Sequence, residues 1–86
     1  MNATEIILEA RKNLESITNL EFNGVTGVSK EGAEWTVILE LIERKSIPDT
    51  QDILGIYEAK LNEKGELVSF NRIKLRKRGE TDEGGA

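Results

Sequence analysis

The amino-acid sequence predicts an α+β domain in which one N-terminal amphipathic helix packs on one face of a four-stranded antiparallel meander sheet. Two observations support this fold: apolar residues recur at helical spacing at the start of the chain, and they alternate every second residue in the segments that follow. The chain has 86 residues, of which 37% are hydrophobic and 33% charged, so the core is modest. We expect a single domain over residues 1–78 and a disordered, acidic, glycine-rich tail over residues 79–86.

The first element is a helix over roughly residues 3–18. Asn2 and Glu5 have the spacing of a helix N-cap and its capping-box partner. At about 100° per residue, one side of this helix is apolar and the other is charged. The apolar stripe consists of Ala3, Ile6, Ile7, Ala10, Leu14 and Ile17. Leu8 points away from the stripe; we interpret it as a tolerated surface leucine, with a partner contact as the alternative.

Two strands are predicted after the helix. Residues 21–29 change from helical spacing to alternation and are predicted to form an edge strand, in which Gly24 and Gly27 are compatible with a bulge. Residues 34–43 alternate more strongly and are predicted to form a central strand. Trp35 belongs to the more apolar face of this strand, so we place it under the helix.

The connection after the second strand, residues 44–52, holds the only proline of the chain. We predict an ordered loop, because Pro48 fixes one backbone dihedral angle and the side chain of Asp49 or Thr50 can cap a turn. The loop is also a candidate partner-contact region through Pro48, Asp49 and Asp52. The two aspartates could hold a cation, but they are too few for a dedicated calcium site, so loop capping is favoured.

The rest of the domain is predicted to be a hairpin of two strands, 53–61 and 66–76, joined by a tight turn with a glycine. In the first of these strands, Tyr57 shares its phase with apolar positions and is placed under the helix. Regular alternation in the last strand places Phe70 and Arg72 on the opposite face. Both residues therefore become candidates for a surface that the single helix leaves uncovered.

The sheet face opposite the helix has no cover within the predicted fold. Its predicted apolar members are Ile38, Ile42, Leu54, Ile56, Val68 and Phe70, and its predicted charged members are Glu40, Glu58, Lys60, Arg72 and Lys74. Such a face is either half-buried by loops and the first strand or a docking surface for another protein. We predict a docking surface, with Phe70 beside Arg72 as its anchor. Its central residues are Ile38, Ile56, Phe70 and Arg72.

Composition argues against catalysis. The chain contains neither Cys nor His, which removes the usual thiolate nucleophile, the commonest general base and the commonest zinc ligands. Glu40 and Glu58 lie on one predicted face and form the only candidate carboxylate pair, but cross-strand ion pairs explain such residues better. We therefore expect no catalytic residue, no cofactor and no metal site, and a protein that is not an enzyme.

Charge leaves one alternative function open. The net charge of -4 argues against a general affinity for nucleic acid or anionic lipid. The last strand nevertheless ends in a basic run of Arg72, Lys74, Arg76, Lys77 and Arg78. A regulatory protein that binds nucleic acid through this run is the alternative, although most aromatic residues expected of an RNA-binding sheet are missing. The N-terminal residues hold no apolar run of the ~20 residues that a membrane span needs, so we expect neither export nor membrane insertion.

A string in the second half of the chain is similar to the signature of the gas vesicle protein O family. It consists of Ile47-Pro48-Asp49-Thr50-Gln51-Asp52, then Ile53-Leu54-Gly55-Ile56-Tyr57-Glu58-Ala59, followed by Leu61, Gly65-Glu66-Leu67 and Phe70 with Arg72. Upstream, the same family is indicated by the glycine-containing strand at residues 24–28, the strand led by Trp35 with Val37 and Glu40, and Glu43 before the proline. The resemblance covers about residues 14–78.

This resemblance implies an accessory protein of gas vesicle formation that is cytoplasmic and can be associated with gas vesicles. It implies partners among the other accessory proteins and the small hydrophobic shell subunit. It implies no enzyme activity and no cofactor, and it brings no established catalytic residues. We therefore expect a non-enzymatic assembly factor that works through protein-protein contacts, with nucleic-acid binding as the alternative.

Overall fold

A computed structural model of the protein describes residues 1–79. Its elements in chain order are helix α1 (Ala3–Thr18), strand β1 (Glu21–Glu31), strand β2 (Glu34–Arg44), a short 3-10 helix (Asp49–Gln51), strand β3 (Ile53–Asn62) and strand β4 (Leu67–Lys77). The strands form one antiparallel sheet in the order β1-β2-β3-β4, and α1 packs against one face of it. The predicted α+β meander is therefore confirmed.

Helix α1 begins with the predicted capping box: the Asn2 side chain accepts a hydrogen bond from Glu5 N at 2.9 Å, and Glu5 Oε1 accepts one from Asn2 N at 2.9 Å. The buried members of the apolar stripe are Ile6, Ala10 and Leu14. Ile17 is 54% exposed, so its predicted burial is wrong: the buried stripe stops before the last turn of the helix. No helix in the described part of the chain has the length and apolar character needed to span a bilayer.

The core lies between α1 and the face of the sheet that we call the helix side. Its buried members are Ile6, Ala10, Leu14, Val37, Leu39, Leu41, Tyr57, Ala59 and Leu61. Trp35 packs against this cluster, which confirms the predicted placement of Trp35 and Tyr57. Because full burial of one large aliphatic side chain contributes about 1.5–3 kcal/mol, this layer is the main source of hydrophobic stabilisation.

Strand β4 departs from regular alternation at two places. Its pairing with β3 shifts register at Val68 and again at Ile73, and neither residue has a paired residue on β3. Each such β-bulge moves the side chains that follow to the other face of the sheet. Phe70 therefore pairs with Ala59 on the helix side, where its ring centroid is 6.5 Å from that of Tyr57.

The first bulge also places Arg72 opposite Tyr57 on the helix side. The prediction that Phe70 and Arg72 lie on the uncovered face is therefore wrong. It assumed unbroken alternation, whereas a shift of one residue moves every following side chain to the other face. The second bulge restores the original phase, so Lys74 returns to its predicted face.

Strand β1 is an edge strand with two register shifts, one between Phe22 and Gly24 and one between Val25 and Gly27. The predicted edge strand is therefore confirmed, and each of its two bulges lies next to one of the glycines, Gly24 or Gly27. The residues without a partner on β2 are Asn23 and Thr26. The edge of the sheet at β1 is therefore irregular, which discourages pairing with a further strand.

The connection between β2 and β3 is an ordered loop, as predicted. Gln51 N donates to Pro48 O at 3.0 Å, and Ser46 N donates to the Asp52 carboxylate at 2.7 Å. These hydrogen bonds fix both halves of the connection. The loop is therefore a defined part of the surface.

The chain beyond β4 is bonded to this loop. Arg78 N donates to Asp52 O at 2.8 Å, and Gly79 N donates to Thr50 O at 3.0 Å. Gly79, which was predicted to begin the disordered tail, is thus held by the fold. The rest of that predicted tail, residues 80–86, lies outside the described residues.

Candidate protein-interaction face

The open face is the side of the sheet opposite α1. Its members, strand by strand, are Glu21, Gly24, Gly27, Ser29 and Glu31; Glu34, Thr36, Ile38, Glu40 and Ile42; Leu54, Ile56, Glu58, Lys60 and Asn62; and Ser69, Asn71, Lys74 and Arg76. Cross-strand pairing arranges them in rows, of which one is Gly27-Ile38-Glu58-Asn71 and the next is Gly24-Glu40-Ile56-Lys74. Unlike the helix side, this face combines small, apolar and charged side chains.

A buried ion pair closes one end of the open face. Glu40 is 6% exposed, and its two carboxylate oxygens accept hydrogen bonds from the Arg76 guanidinium, the shortest from Nη2 to Oε2 at 2.9 Å. Asn23 Nδ2 donates to Glu40 Oε1 at 3.0 Å. This pairing is necessary because a carboxylate that leaves water without a partner is strongly destabilising.

A second ion pair extends this closure to the loop. Asp52 is 3% exposed and accepts from Arg78 Nη2 at 3.1 Å. Arg78 Nη1 also donates to Asn23 Oδ1 at 3.0 Å, so Asn23 joins the two ion pairs. We call the set Asn23, Glu40, Asp52, Arg76 and Arg78 the ionic clamp. It connects β1, β2, the loop and the end of β4.

The structure separates the four central residues of the predicted docking surface. Ile38 and Ile56 lie on the open face, where Ile38 is half-buried and Ile56 is 9% exposed. Phe70 is half-buried against the core on the other side of the sheet. Arg72 is exposed there, with its Nη1 3.8 Å from Glu43 Oε2. Ile38 is therefore the main apolar contribution of these four to the open face.

The predicted contact residues of the loop also have different surroundings. Asp52 belongs to the ionic clamp, which agrees with the loop-capping interpretation. Asp49 begins the 3-10 helix. Pro48 is exposed. Of the three, Asp52 is engaged within the chain, and Pro48 is accessible to a partner.

On the helix side, Tyr57 Oη donates a hydrogen bond to Glu43 Oε2 at 2.5 Å. Burial and then this hydrogen bond raise the pKa of Tyr57 to about 12. Gly55 leaves room for the pair, because a Cβ at this position would overlap Glu43 Oε2 and Tyr57 Cε1. Within the Leu54-Gly55-Ile56-Tyr57-Glu58 string, Gly55 therefore provides the space in which Tyr57 bonds to Glu43.

The two carboxylates of the candidate pair have different environments. Glu40 is paired in the ionic clamp, whereas Glu58 is half-buried and its side chain makes no hydrogen bond or ion pair within residues 1–79. Within the same residues, no group of three or more acidic side chains is placed to hold a metal ion. The pair is therefore better described as one structural and one unpartnered carboxylate.

The basic run at the end of β4 is engaged within the chain. Its arginines contact carboxylates in three pairs: Arg72 with Glu43, Arg76 with Glu40, and Arg78 with Asp52. Lys74 and Lys77 also have interaction partners. Phosphate groups, which bind chiefly to arginine and lysine, would have to compete with these contacts.

Sequence reasoning missed the ionic clamp. Asn23 bonds to residues 17 and 55 positions away, Glu40 and Arg78, and no local spacing indicates such contacts. One signal was available: Glu40 lies in a strongly apolar central strand, and a buried carboxylate needs a cation on the same face. Arg76 follows Lys74 by two residues, so regular alternation also places it on that face.

Comparison with known proteins finds relatives along most of the chain. The sequence model of a family described as gas vesicle synthesis protein GvpO matches residues 1–82. Gas vesicle protein O of Haloferax mediterranei is 32% identical over 77 residues, which make up 88% of this chain and 55% of that protein. No solved structure matches this chain.

Two further relatives give the same result. Gas vesicle protein O1 of Halobacterium salinarum is 30% identical over 74 residues, which are 86% of this chain and 62% of that protein. Gas vesicle protein O of a Streptomyces species is 30% identical over 77 residues, which are 90% of this chain and 60% of that protein. The chain thus spans from 55% to 62% of the length of these three relatives.

Proposed function

Because the chain belongs to the gas vesicle synthesis protein GvpO family, we propose that it is a non-enzymatic accessory protein of gas vesicle formation. It acts by binding other proteins of the assembly, either accessory proteins or the shell subunit. It works in the cytoplasm, on or near the forming vesicle. Family membership supports the role in gas vesicle formation, and the surface of the chain supports the manner of action.

The open face is the observation that carries this proposal. Helix α1 covers the other side of the sheet, and the ionic clamp occupies one end of the open face. Beyond the clamp, Ile38 and Glu58 are half-buried neighbours on adjacent strands. A surface that mixes aliphatic and charged groups in this way is typical of contacts between proteins that also exist separately.

The engaged basic run favours a protein partner over nucleic acid. Binding to nucleic acid depends on free cationic groups and weakens steeply with salt, because it releases counterions from the phosphates. The arginines of the run already contact carboxylates of the same chain. Binding to a protein partner through the open face should therefore persist at salt concentrations that abolish phosphate binding.

Two measurements test the proposal. Deletion of the gene from a gas vesicle cluster should lower the number of vesicles per cell, and the wild-type gene should restore it. The purified protein should then bind at least one separately purified accessory or shell protein at both low and high salt. Normal vesicle number in the deletion strain, or binding only to nucleic acid, would contradict the proposed function.

A further inference from the structure

Glu58 is the half-buried charged residue of the open face that has no partner within residues 1–79. The charged members of this face are Glu21, Glu31, Glu34, Glu40, Glu58, Lys60, Lys74 and Arg76. Glu21 pairs with Lys45, and Glu31 is exposed to water at the end of β1. Glu40 and Arg76 pair with each other, Lys60 Nζ lies 3.8 Å from Glu34 Oε1, and Lys74 also has a partner. Within residues 1–79, the half-buried Glu58 side chain has neither a hydrogen bond nor an ion pair. An incoming cation would compensate the hydration that this carboxylate has lost.

Two glycines in β1 border the same part of the face. Gly27 pairs with Ile38, which pairs with Glu58, and Gly24 lies in the next row. Neither glycine has a positive φ. A Cβ at Gly24 would have no atom within 4 Å, and a Cβ at Gly27 would meet Ile38 at an ordinary 3.8 Å. Neither φ nor steric contact therefore requires glycine at either position, and the missing side chains leave space for the close approach of another chain.

We infer that the row formed by Gly27, Ile38 and Glu58 receives a lysine or arginine side chain of a partner protein. This inference rests on the proposed function and specifies its contact. The cationic group pairs with the Glu58 carboxylate, and the methylene groups of the same side chain lie on Ile38. The partner's backbone approaches β1 at Gly27, where no side chain stands in the way.

The charges on the open face argue against a second copy as the occupant. Two copies packed face to face would offer Glu58 only the cations of the same face, which are Lys60, Lys74 and Arg76. All three already have partners within their own chain. A different protein with an unengaged cation therefore fits better than a second copy.

The first test identifies what lies on this row. Asn71 is exposed and pairs with Glu58, so a photo-crosslinking amino acid at position 71 would report on the contact. The same amino acid at Lys12, which is exposed on α1, is the control. In cells that produce gas vesicle proteins, position 71 should crosslink to one of these proteins within a segment that contains lysine or arginine. No crosslink specific to position 71, or a crosslink only to a second copy, would overturn the inference.

The second test uses a synthetic peptide of the crosslinked segment and the purified protein. Glu58→Lys should lower the affinity by about tenfold or more, because it replaces an ion pair by like charges. Gly27→Val should also weaken binding, by filling the space at β1. Glu31→Lys makes the same charge change on the same face, at the exposed end of β1 two rows from Glu58, and should leave the affinity unchanged. Melting curves of all three variants should stay close to that of the wild type.

A charge exchange completes this test. A peptide in which the lysine or arginine is replaced by glutamate should bind Glu58→Lys better than it binds the wild type. Absence of this rescue, or wild-type affinity of Glu58→Lys, would show that no cation binds at this row.

The number of vesicles per cell distinguishes a failure of the proposed function from a failure of the inference about the row Gly27, Ile38 and Glu58. If the deletion strain makes normal vesicles, the proposed function fails. If the strain needs the wild-type gene but the double variant Gly27→Val, Glu58→Lys restores full vesicle number, only the inference about this row fails.

Discussion

The two faces of the sheet are closed by different physical means. On the helix side, α1 buries a continuous aliphatic layer, whose stabilisation does not depend on direction or on a specific partner. On the open face, the ionic clamp closes one end, and each of its charged groups is stable only while its partner is in place. We therefore expect the helix side to provide most of the stability, and we propose the open face as the site of recognition. Substitutions on each side can therefore test the assignment.

The largest loss of stability is expected on the helix side. Leu39 is fully buried in the centre of the sheet. Leu39→Ala should lower the free energy of unfolding by about 2–5 kcal/mol, because it removes apolar contact and leaves a cavity. Denaturant unfolding measures this change. A loss similar to that of an exposed-site substitution such as Leu8→Ala would break the comparison.

The second-largest loss of stability is expected when the ionic clamp is disrupted. Arg76→Met keeps much of the side-chain length but leaves the buried Glu40 without its cation, so we expect a loss of about 2–3 kcal/mol. Arg72→Met is the matched control, because Arg72 forms a longer and more exposed contact with Glu43. That variant should lose less than about 1 kcal/mol. Equal losses in the two variants would show that the clamp does not stabilise the fold.

Tyr57 gives the helix side a response to alkaline pH. The pKa of an unfolded tyrosine is about 10, whereas burial and the Glu43 hydrogen bond raise the folded value to about 12. A raised folded pKa means that this contribution to stability is complete below the unfolded pKa and is lost as the pH rises from about 10 to about 12. Tyr57→Phe should reduce the fall in unfolding free energy across this range.

Ultraviolet absorbance of tyrosinate can measure the same shift directly, since the chain has one tyrosine. The native protein should titrate at higher pH than the protein in denaturant. Coincident titration curves would contradict the buried, hydrogen-bonded environment of Tyr57.

The smallest change in stability is expected at the edge of the open face. Gly24→Ala should change the free energy of unfolding by less than about 1 kcal/mol, in the stabilising direction, because alanine has less freedom in the unfolded chain. Gly65→Ala is the control: Gly65 has a φ of 83°, and a Cβ there would overlap Met1 Sδ, so this variant should be destabilised. Denaturant midpoints compare the two. A destabilised Gly24→Ala would mean that the fold itself requires the glycine.

Local patterns predicted most of the fold. The capping box at Asn2 and Glu5, the change from helical to alternating spacing, and the glycine turn each involve residues close in the chain, so the sequence reports them directly. The faces of Phe70 and Arg72 could not be read in this way. They depend on where β4 gains an unpaired residue, and that follows from packing against β3 rather than from residue type.

The candidate site was only partly predictable for the same reason. Ile38 precedes the bulge near the end of β2, so alternation placed it correctly. The ionic clamp joins residues from distant parts of the chain, and its geometry appears only after the strands pair. The unpartnered state of Glu58 is likewise a property of the assembled face.

The two bulges of β4 also affect how related chains should be compared. Each bulge adds one residue that has no paired residue on β3, at Val68 and at Ile73. A related strand without either bulge would be two residues shorter and would still direct equivalent side chains to each face. Evolutionary divergence in this strand should therefore appear as paired insertions and deletions. An alignment without gaps would wrongly suggest that the residues between the two bulges had moved from one face of the sheet to the other.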